Sequence, residues 1–212
     1  MRMSVICSDM DGTVLPSGAF PRRISAANAA ALKEAIARGV KVIIATGKRP
    51  GPWLPPLRAA LGYPGDGGVV LNAPSVMMNG LLVTDTDGTV RHKSTLDVAV
   101  IARVVAFGAQ HSLTAMAYLD DGRIVCGEHD VWSERTVVFE EPEVEAIGPA
   151  AFESLGGSDA VAQVFKVVWW GEAAAITAAR PHLDELVRRP RRPLAPTRGW
   201  QQPPAFHPCI SI

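Results

Sequence analysis

The sequence predicts an α/β fold: an incomplete parallel sheet at the front of the chain, followed by an inserted α+β unit. Three observations predict it. Over roughly the first seventy residues, strand-length apolar runs alternate with helix-forming stretches, the pattern of parallel βαβ units. Beyond about residue 82 the pattern changes to hairpins mixed with helices. Apolar runs such as Val40 to Ala45 and Val164 to Trp170 are strand-length, far short of the ~20 residues that span a bilayer.

Each element has its own warrant. Ser4 to Ser8 reads as a buried strand. After a loop holding Pro16, Gly18 and Pro21, Ser25 is placed to cap a helix over Ala26 to Arg38, with Ile24 as a staple and Gly39 as the stop. Val40 to Ala45 is a second buried strand, and a proline-started helix spans about Pro55 to Leu61. Val69-Val70-Leu71 reads as the third strand. Leu81-Leu82-Val83 and Thr89-Val90-Arg91 flank a turn at Asp87-Gly88. A helix over about Leu96 to Gly108 precedes strands near Leu113 to Tyr118 and Arg123 to Cys126, joined at Asp121-Gly122. Ala160 to Trp170 is strongly strand-like, and Glu172 to Val187 is helical with a kink or restart at Pro181. The domain reading is therefore a core over 1–82, a cap over 83–188 and an irregular Pro/Arg-rich tail over 189–212.

Composition narrows the function classes. Lys+Arg and Asp+Glu are both 21 in 212 residues, which argues against a strongly nucleic-acid-seeking protein. Cys7, Cys126 and Cys209 lack metal-type spacing and read as reduced and structural. A first strand beginning near residue 4 leaves no room for a leader, so the cytoplasm is the default expectation.

The chemistry gathers at Asp9-Met10-Asp11-Gly12-Thr13, directly after the first strand. Side chains alternate along a strand, so Asp9 and Asp11 project from one side where it ends. Gly12 permits a sharp turn, and Thr13 adds a hydroxyl. Asp9 is the candidate nucleophile and Asp11 the candidate acid/base. Backbone N–H groups around Asp11 to Thr13 are expected to cradle phosphate oxygens.

Thr46-Gly47-Lys48 ends the second strand, and ligands of open α/β sheets bind outside the carboxyl ends of the strands. Thr46 and Gly47 are thus candidate phosphate holders, with Lys48 and Arg49 read either as nearby positive charge or as solvated surface residues. Asp85-Thr86-Asp87-Gly88-Thr89 repeats the first motif's pattern, but it lies between paired runs and reads as a hairpin turn. Asn79-Gly80 reads as a turn or as the entry to the cap. Trp169-Trp170 reads as packing. His111, His129 and Glu128 lack metal spacing, and Lys166 is expected to face solvent.

Ser8-Asp9-Met10-Asp11-Gly12-Thr13, Ile44-Ala45-Thr46-Gly47-Lys48 and the Asn79-Gly80 stretch together resemble the haloacid dehalogenase superfamily. The likeness is to its sugar-phosphatase-like, Cof-type (class IIB) branch. The resemblance implies a Rossmann-like core with an α+β cap, and Mg2+-dependent hydrolysis of a small phosphorylated metabolite through a phospho-aspartate. It implies Asp9 as nucleophile and metal ligand, and Asp11 as acid/base and as ligand through its carbonyl. It also implies Gly12, Thr13, Thr46, Gly47 and Lys48 around the phosphoryl group, with neither nucleic acid nor membrane as partner. The family's later lysine and acidic motifs have no counterpart after residue 188, where the stretch carries no Asp, Glu or Lys, so the chain resembles a C-terminally truncated member. Two other readings stand beside the phosphatase: a degenerate phosphate-binding or interaction protein, and a phosphosugar mutase.

Overall fold

In a computed structural model, which describes residues 4–16, 18, 22–63, 73–155, 162–187 and 209–211, the first apolar run forms β1 (Val5–Ser8). Helix α1 (Ala26–Ala37) starts where expected, with Ser25 accepting the Asn28 amide through its side chain. It stops where Gly39 takes a left-handed φ of 80°. Strand β2 (Lys41–Ile44) then pairs parallel with β1, Ser8 opposite Ile44. Helix α2 (Leu54–Leu61) buries Leu54, Leu57 and Leu61 and is capped by left-handed Gly62.

The expected strand Val69-Val70-Leu71 lies outside the described residues. Next to the end of β2 lies β3 (Ser75–Met77), joined by a parallel bridge between Ala45 and Val76. Strands β4 (Leu82–Thr84) and β5 (Val90–Lys93) follow β3 in an antiparallel three-stranded sheet. The hairpin between them turns at Asp87-Gly88 as the sequence indicated, the Gly88 amide reaching the Asp85 carbonyl.

Next come α3 (Val98–Gln110), β6 (Thr114–Leu119), β7 (Ile124–Cys126) and β8 (Val144–Ala146). They are followed by α4 (Pro149–Glu153), β9 (Val164–Trp170), α5 (Ala173–Val187) and β10 (Cys209–Ser211). The strands form one sheet in the order β10-β9-β6-β7-β8, with β7 and β8 parallel and the other pairs antiparallel. The core beneath it is drawn from Ile101, Val104, Phe107, Val125, Phe152, Val167 and Trp169.

The chain divides into two compact units, Met1–Thr95 with Arg135–Glu143, and Leu96–Glu134 with Val144–Ile212. The division falls at Leu96, since β4 hydrogen-bonds to β3 and β5 to β4. Within the stretch expected to be an irregular tail, Cys209–Ser211 pairs with β9. Helix α5 runs continuously through Pro181.

Lys166 corrects the solvent-facing expectation. Strand β9 lies inside the sheet, and all seven of its residues are buried. Lys166 sits opposite Tyr118 in register, with Nζ 4.3 Å from that ring's centroid, so the ammonium is held against an aromatic face. Trp169 packs 5.0 Å from Phe107, in keeping with a core role. No helix among the described residues is long and apolar enough to cross a membrane.

Candidate active site

The first unit carries the chemistry-bearing residues. Asp9 follows β1 directly and is exposed. The Ala45 amide bonds the Ser8 carbonyl, so the chain leaves β2 level with Asp9, and both segments emerge at the carboxyl edge of the parallel pair. Met10 is fully buried beneath the turn that follows.

That turn is tight. Gly12 has a φ of 80°, a conformation that favours glycine, and its amide bonds the Leu15 carbonyl at 2.8 Å. The Leu15 amide returns to the Met10 carbonyl at 2.8 Å, and the Thr13 amide reaches the same carbonyl at 3.3 Å. The Gly12 and Thr13 amides, expected to cradle phosphate, are therefore occupied within the turn itself. Closing the turn around glycine takes up these two donors.

Asp11 is brought together with the second motif. Lys48 is buried, and its Nζ lies 3.5 Å from Asp11 Oδ1. The Lys48 amide donates to Thr46 Oγ1 at 3.2 Å, which leaves the buried Thr46 hydroxyl its own hydrogen to donate. Thr46 is fixed from the other side, its amide bonding the Val76 carbonyl and its carbonyl taking the Asn79 amide.

Asn79 belongs to this cluster more closely than its turn-like sequence suggested. Met78 and Asn79 both hold left-handed conformations, with φ of 56° and 58°, and the Met78 amide bonds the Lys48 carbonyl. A Cβ at Gly47 would stand 2.7 Å from Asn79 Oδ1, so glycine there is what lets the carboxamide lie over the strand end. Backbone strain of this kind gathers where the surrounding structure enforces a site.

Sequence reasoning missed Arg22. It donates from Nη1 to Asp11 Oδ1 at 2.8 Å, and its side chain is 14% exposed. Its only sequence signal was an arginine pair placed before the α1 cap, which any solvated loop also offers.

The second D-x-D-G-T is spent on the hairpin. Asp85 takes the Thr86 amide and the Arg91 guanidinium, which together hold its carboxyl below the usual range. Asp87 takes the Thr89 amide and is lowered by that bond. Neither carboxylate is offered to a ligand. His111 stacks against His182 and Phe107, and no three His, Cys, Asp or Glu residues cluster for a metal among the described residues. For a hard cation, the first motif offers the exposed Asp9 carboxylate and the Asp11 main-chain carbonyl. Mg2+ commonly binds through one or two carboxylates and fills its remaining positions with water and phosphate oxygens, so the donor set fits a largely hydrated ion.

Comparison with known proteins gives the family and the fold. A curated plant protein, the chloroplastic endoribonuclease YBEY of Arabidopsis thaliana, is 33% identical over 186 residues, 87% of this chain and 30% of that protein. A haloacid dehalogenase-like hydrolase from Bacteroides thetaiotaomicron shares the fold with a TM-score of 0.69 at 17% identity, covering 86% of this chain and 64% of that one. A subclass IIB sugar phosphatase of the same superfamily aligns with a TM-score of 0.60 at 17% identity, covering 85% and 63%. The chain thus spans less than two thirds of these relatives. The profile of the haloacid dehalogenase-like hydrolases matches residues 6–149, taking in both motifs and the Asn79 turn, and the chain belongs to that family.

Proposed function

We propose that this chain hydrolyses phosphomonoesters with Mg2+, through an aspartyl-phosphate on Asp9. The observation that carries the reading is the Asp11–Lys48–Thr46 network, set where β1 and β2 end side by side. An Asp9 carboxylate oxygen attacks phosphorus as the ester P–O bond breaks, and Asp11 in its acid form gives its proton to the departing alcohol oxygen. Asp11 then takes a proton from water as that water attacks the phospho-aspartate, releasing inorganic phosphate and restoring Asp9. Lys48 Nζ and the Thr46 hydroxyl hold phosphoryl oxygens, assisted by Gly47, whose missing Cβ lets the Asn79 carboxamide pack over the strand end beside them. Mg2+ on the Asp9 carboxylate and the Asp11 carbonyl would offset negative charge between nucleophile and phosphate.

The substrate class is a small sugar phosphate or similar metabolite, and the compartment we assign is the cytoplasm. The test is release of p-nitrophenol from p-nitrophenyl phosphate with and without Mg2+, in wild type and Asp9→Asn. Mg2+-dependent release that Asp9→Asn abolishes supports the reading, and equal rates in both proteins overturn it. Parallel incubations with hexose phosphates separate hydrolysis from phosphoryl transfer to a second hydroxyl, the mutase outcome. A single-stranded RNA oligonucleotide tests the activity for which the plant relative is named.

A second reading is a phosphate-binding protein without turnover. The want of a third clustered carboxylate among the described residues favours it. Phosphate binding by calorimetry, with no release from any ester, would establish that alternative.

A further inference from the structure

Asp11 is held from one side only. Arg22 Nη1 at 2.8 Å and Lys48 Nζ at 3.5 Å both fall on Oδ1, and among the described residues Oδ2 takes no partner. Arg22 is itself held by a segment far along the chain. Its Nη2 reaches the Val138 carbonyl at 3.4 Å, and its guanidinium carbon lies 5.8 Å from the Phe139 ring centroid. The next arginine, Arg23, donates to Glu140 Oε1 at 3.0 Å, and Glu140 is 4% exposed. Glu140 also carries a left-handed φ of 53°. A Cβ at Gly51 would stand 3.2 Å from the Glu140 carbonyl and 3.1 Å from Pro142 Cδ. Residues 138–142 therefore seat closely on the first unit at two places, at Arg22-Arg23 and at Gly51, and belong to that unit although more than a hundred residues of chain separate them from Arg22.

We infer that Arg22 is a positioning residue for the reaction, and that the 138–142 strap is the device that holds it. The inference rests on the phosphatase reading and deepens it. Arginine's planar fork spans two partners here, Nη1 on Asp11 Oδ1 and Nη2 on the Val138 carbonyl, and so fixes the donor's direction where a lysine supplies only a point charge. With Oδ1 anchored, the two oxygens of Asp11 divide their work: Oδ1 stays with the cations, and Oδ2 is the oxygen that gives the proton to the leaving alcohol and later takes one from water. Without Arg22, the carboxylate turns about its last bond and proton transfer loses its alignment, while the phosphate anchors Thr46 and Lys48 stay in place. Without the strap contacts, Arg22 loses its seat and the same defect follows at second hand.

The experiment compares wild type, Arg22→Ala, Arg22→Lys and Glu140→Gln on p-nitrophenyl phosphate with Mg2+, with circular dichroism as the check on folding. Arg22→Ala should lower kcat by roughly tenfold to a hundredfold, part of what a positioned acid/base contributes, with KM changed by less than about threefold. Added guanidinium ion should restore part of that kcat, because it can occupy the vacated place beside Oδ1. Arg22→Lys should recover less than guanidinium does, and Glu140→Gln should lower kcat in the same direction as Arg22→Ala but less. A loss in Arg22→Ala that guanidinium does not touch, or one carried wholly by KM, overturns the inference. If wild type turns over and Asp11→Asn does not, yet Arg22→Ala matches wild type, Arg22 alone is refuted and the phosphatase reading stands. If wild type releases nothing, the phosphatase reading fails on its own, and crystal structures then decide the positioning role. An Asp11 carboxylate that reorients in Arg22→Ala supports it, and one that stays put contradicts it.

Discussion

Replacing Gly47 by alanine is a sharp test of how the candidate site is built. The new methyl carbon would stand 2.7 Å from Asn79 Oδ1 and 3.5 Å from Asn79 Cγ, the first distance well inside van der Waals contact. Gly47 is not at a left-handed φ, so the alanine backbone is unstrained and the steric clash is the whole effect. The Asn79 backbone cannot retreat, because its main-chain amide bonds the Thr46 carbonyl and that of Met78 bonds the Lys48 carbonyl, so the carboxamide has to turn out of its place over the strand end. Overpacking of one methyl in such a place costs about 1–3 kcal/mol. At roughly 2–4 °C per kcal/mol for a chain of this size, Tm should fall by about 2–12 °C. The assay is calorimetric melting of Gly47→Ala, Asn79→Gly and the double variant. Asn79→Gly removes the clashing carboxamide and suits a φ of 58°, so the pair should couple favourably, the double variant melting above Gly47→Ala. Strict additivity, or an unchanged Tm in Gly47→Ala, would refute the packing argument.

Other predictions follow from single contacts. Lys48→Met keeps most of the buried stem and removes the ammonium near Asp11, so calorimetric affinity for inorganic phosphate should fall while the far-ultraviolet spectrum stays native; unchanged affinity would remove Lys48 from the anion site. The Cys126 thiol is pushed up by burial and by the Asp130 carboxylate. Iodoacetamide at mildly alkaline pH should therefore label exposed Cys7 well before buried Cys126, and Asp130→Asn should hasten the second event, as read by peptide mass spectrometry. Asp85 is lowered in the fold by the Thr86 amide and Arg91, so its contribution to stability is present above the ordinary carboxylate range and is lost as pH falls through the lowered value. The Tm gap between wild type and Asp85→Asn should close on acidification, and a constant gap would contradict the assignment.

Much of this molecule was legible because local chemistry and tertiary packing agree. The Ser25 cap, the Gly39 stop and the Asp87-Gly88 turn all act within a few residues, and each appears where its residues indicate. The two D-x-D-G-T copies could be told apart because one follows a strand of the parallel pair and the other lies between antiparallel pairing runs, although β1, expected to be buried, alternates between exposed and half-buried residues. What escaped depends on distant partners. Lys166 reads as a polar position on an alternating strand, but β9 is a central strand flanked by β6 and β10, all seven of its residues are buried, and the ammonium lies over the Tyr118 ring. Strand β8 has only three residues, and its parallel partner β7 lies about eighteen residues upstream, so no local pattern announces it. Strand β10 follows a proline-dense stretch and is defined only by pairing with β9. The Arg22–Asp11 contact needs the tight 10–15 turn to bring the carboxylate round and the 138–142 strap to hold the guanidinium, neither of which a short motif encodes.

The account turns on Asp9 becoming phosphorylated during turnover. The direct measurement is to quench the protein during reaction with acetyl phosphate and Mg2+, treat it with hydroxylamine and map the modified peptide by mass spectrometry. A hydroxamate at Asp9, absent from Asp9→Asn and accumulating in Asp11→Asn, is the predicted result. Ester hydrolysis with no modification at Asp9, or with the same hydroxamate yield elsewhere in Asp9→Asn, would contradict it.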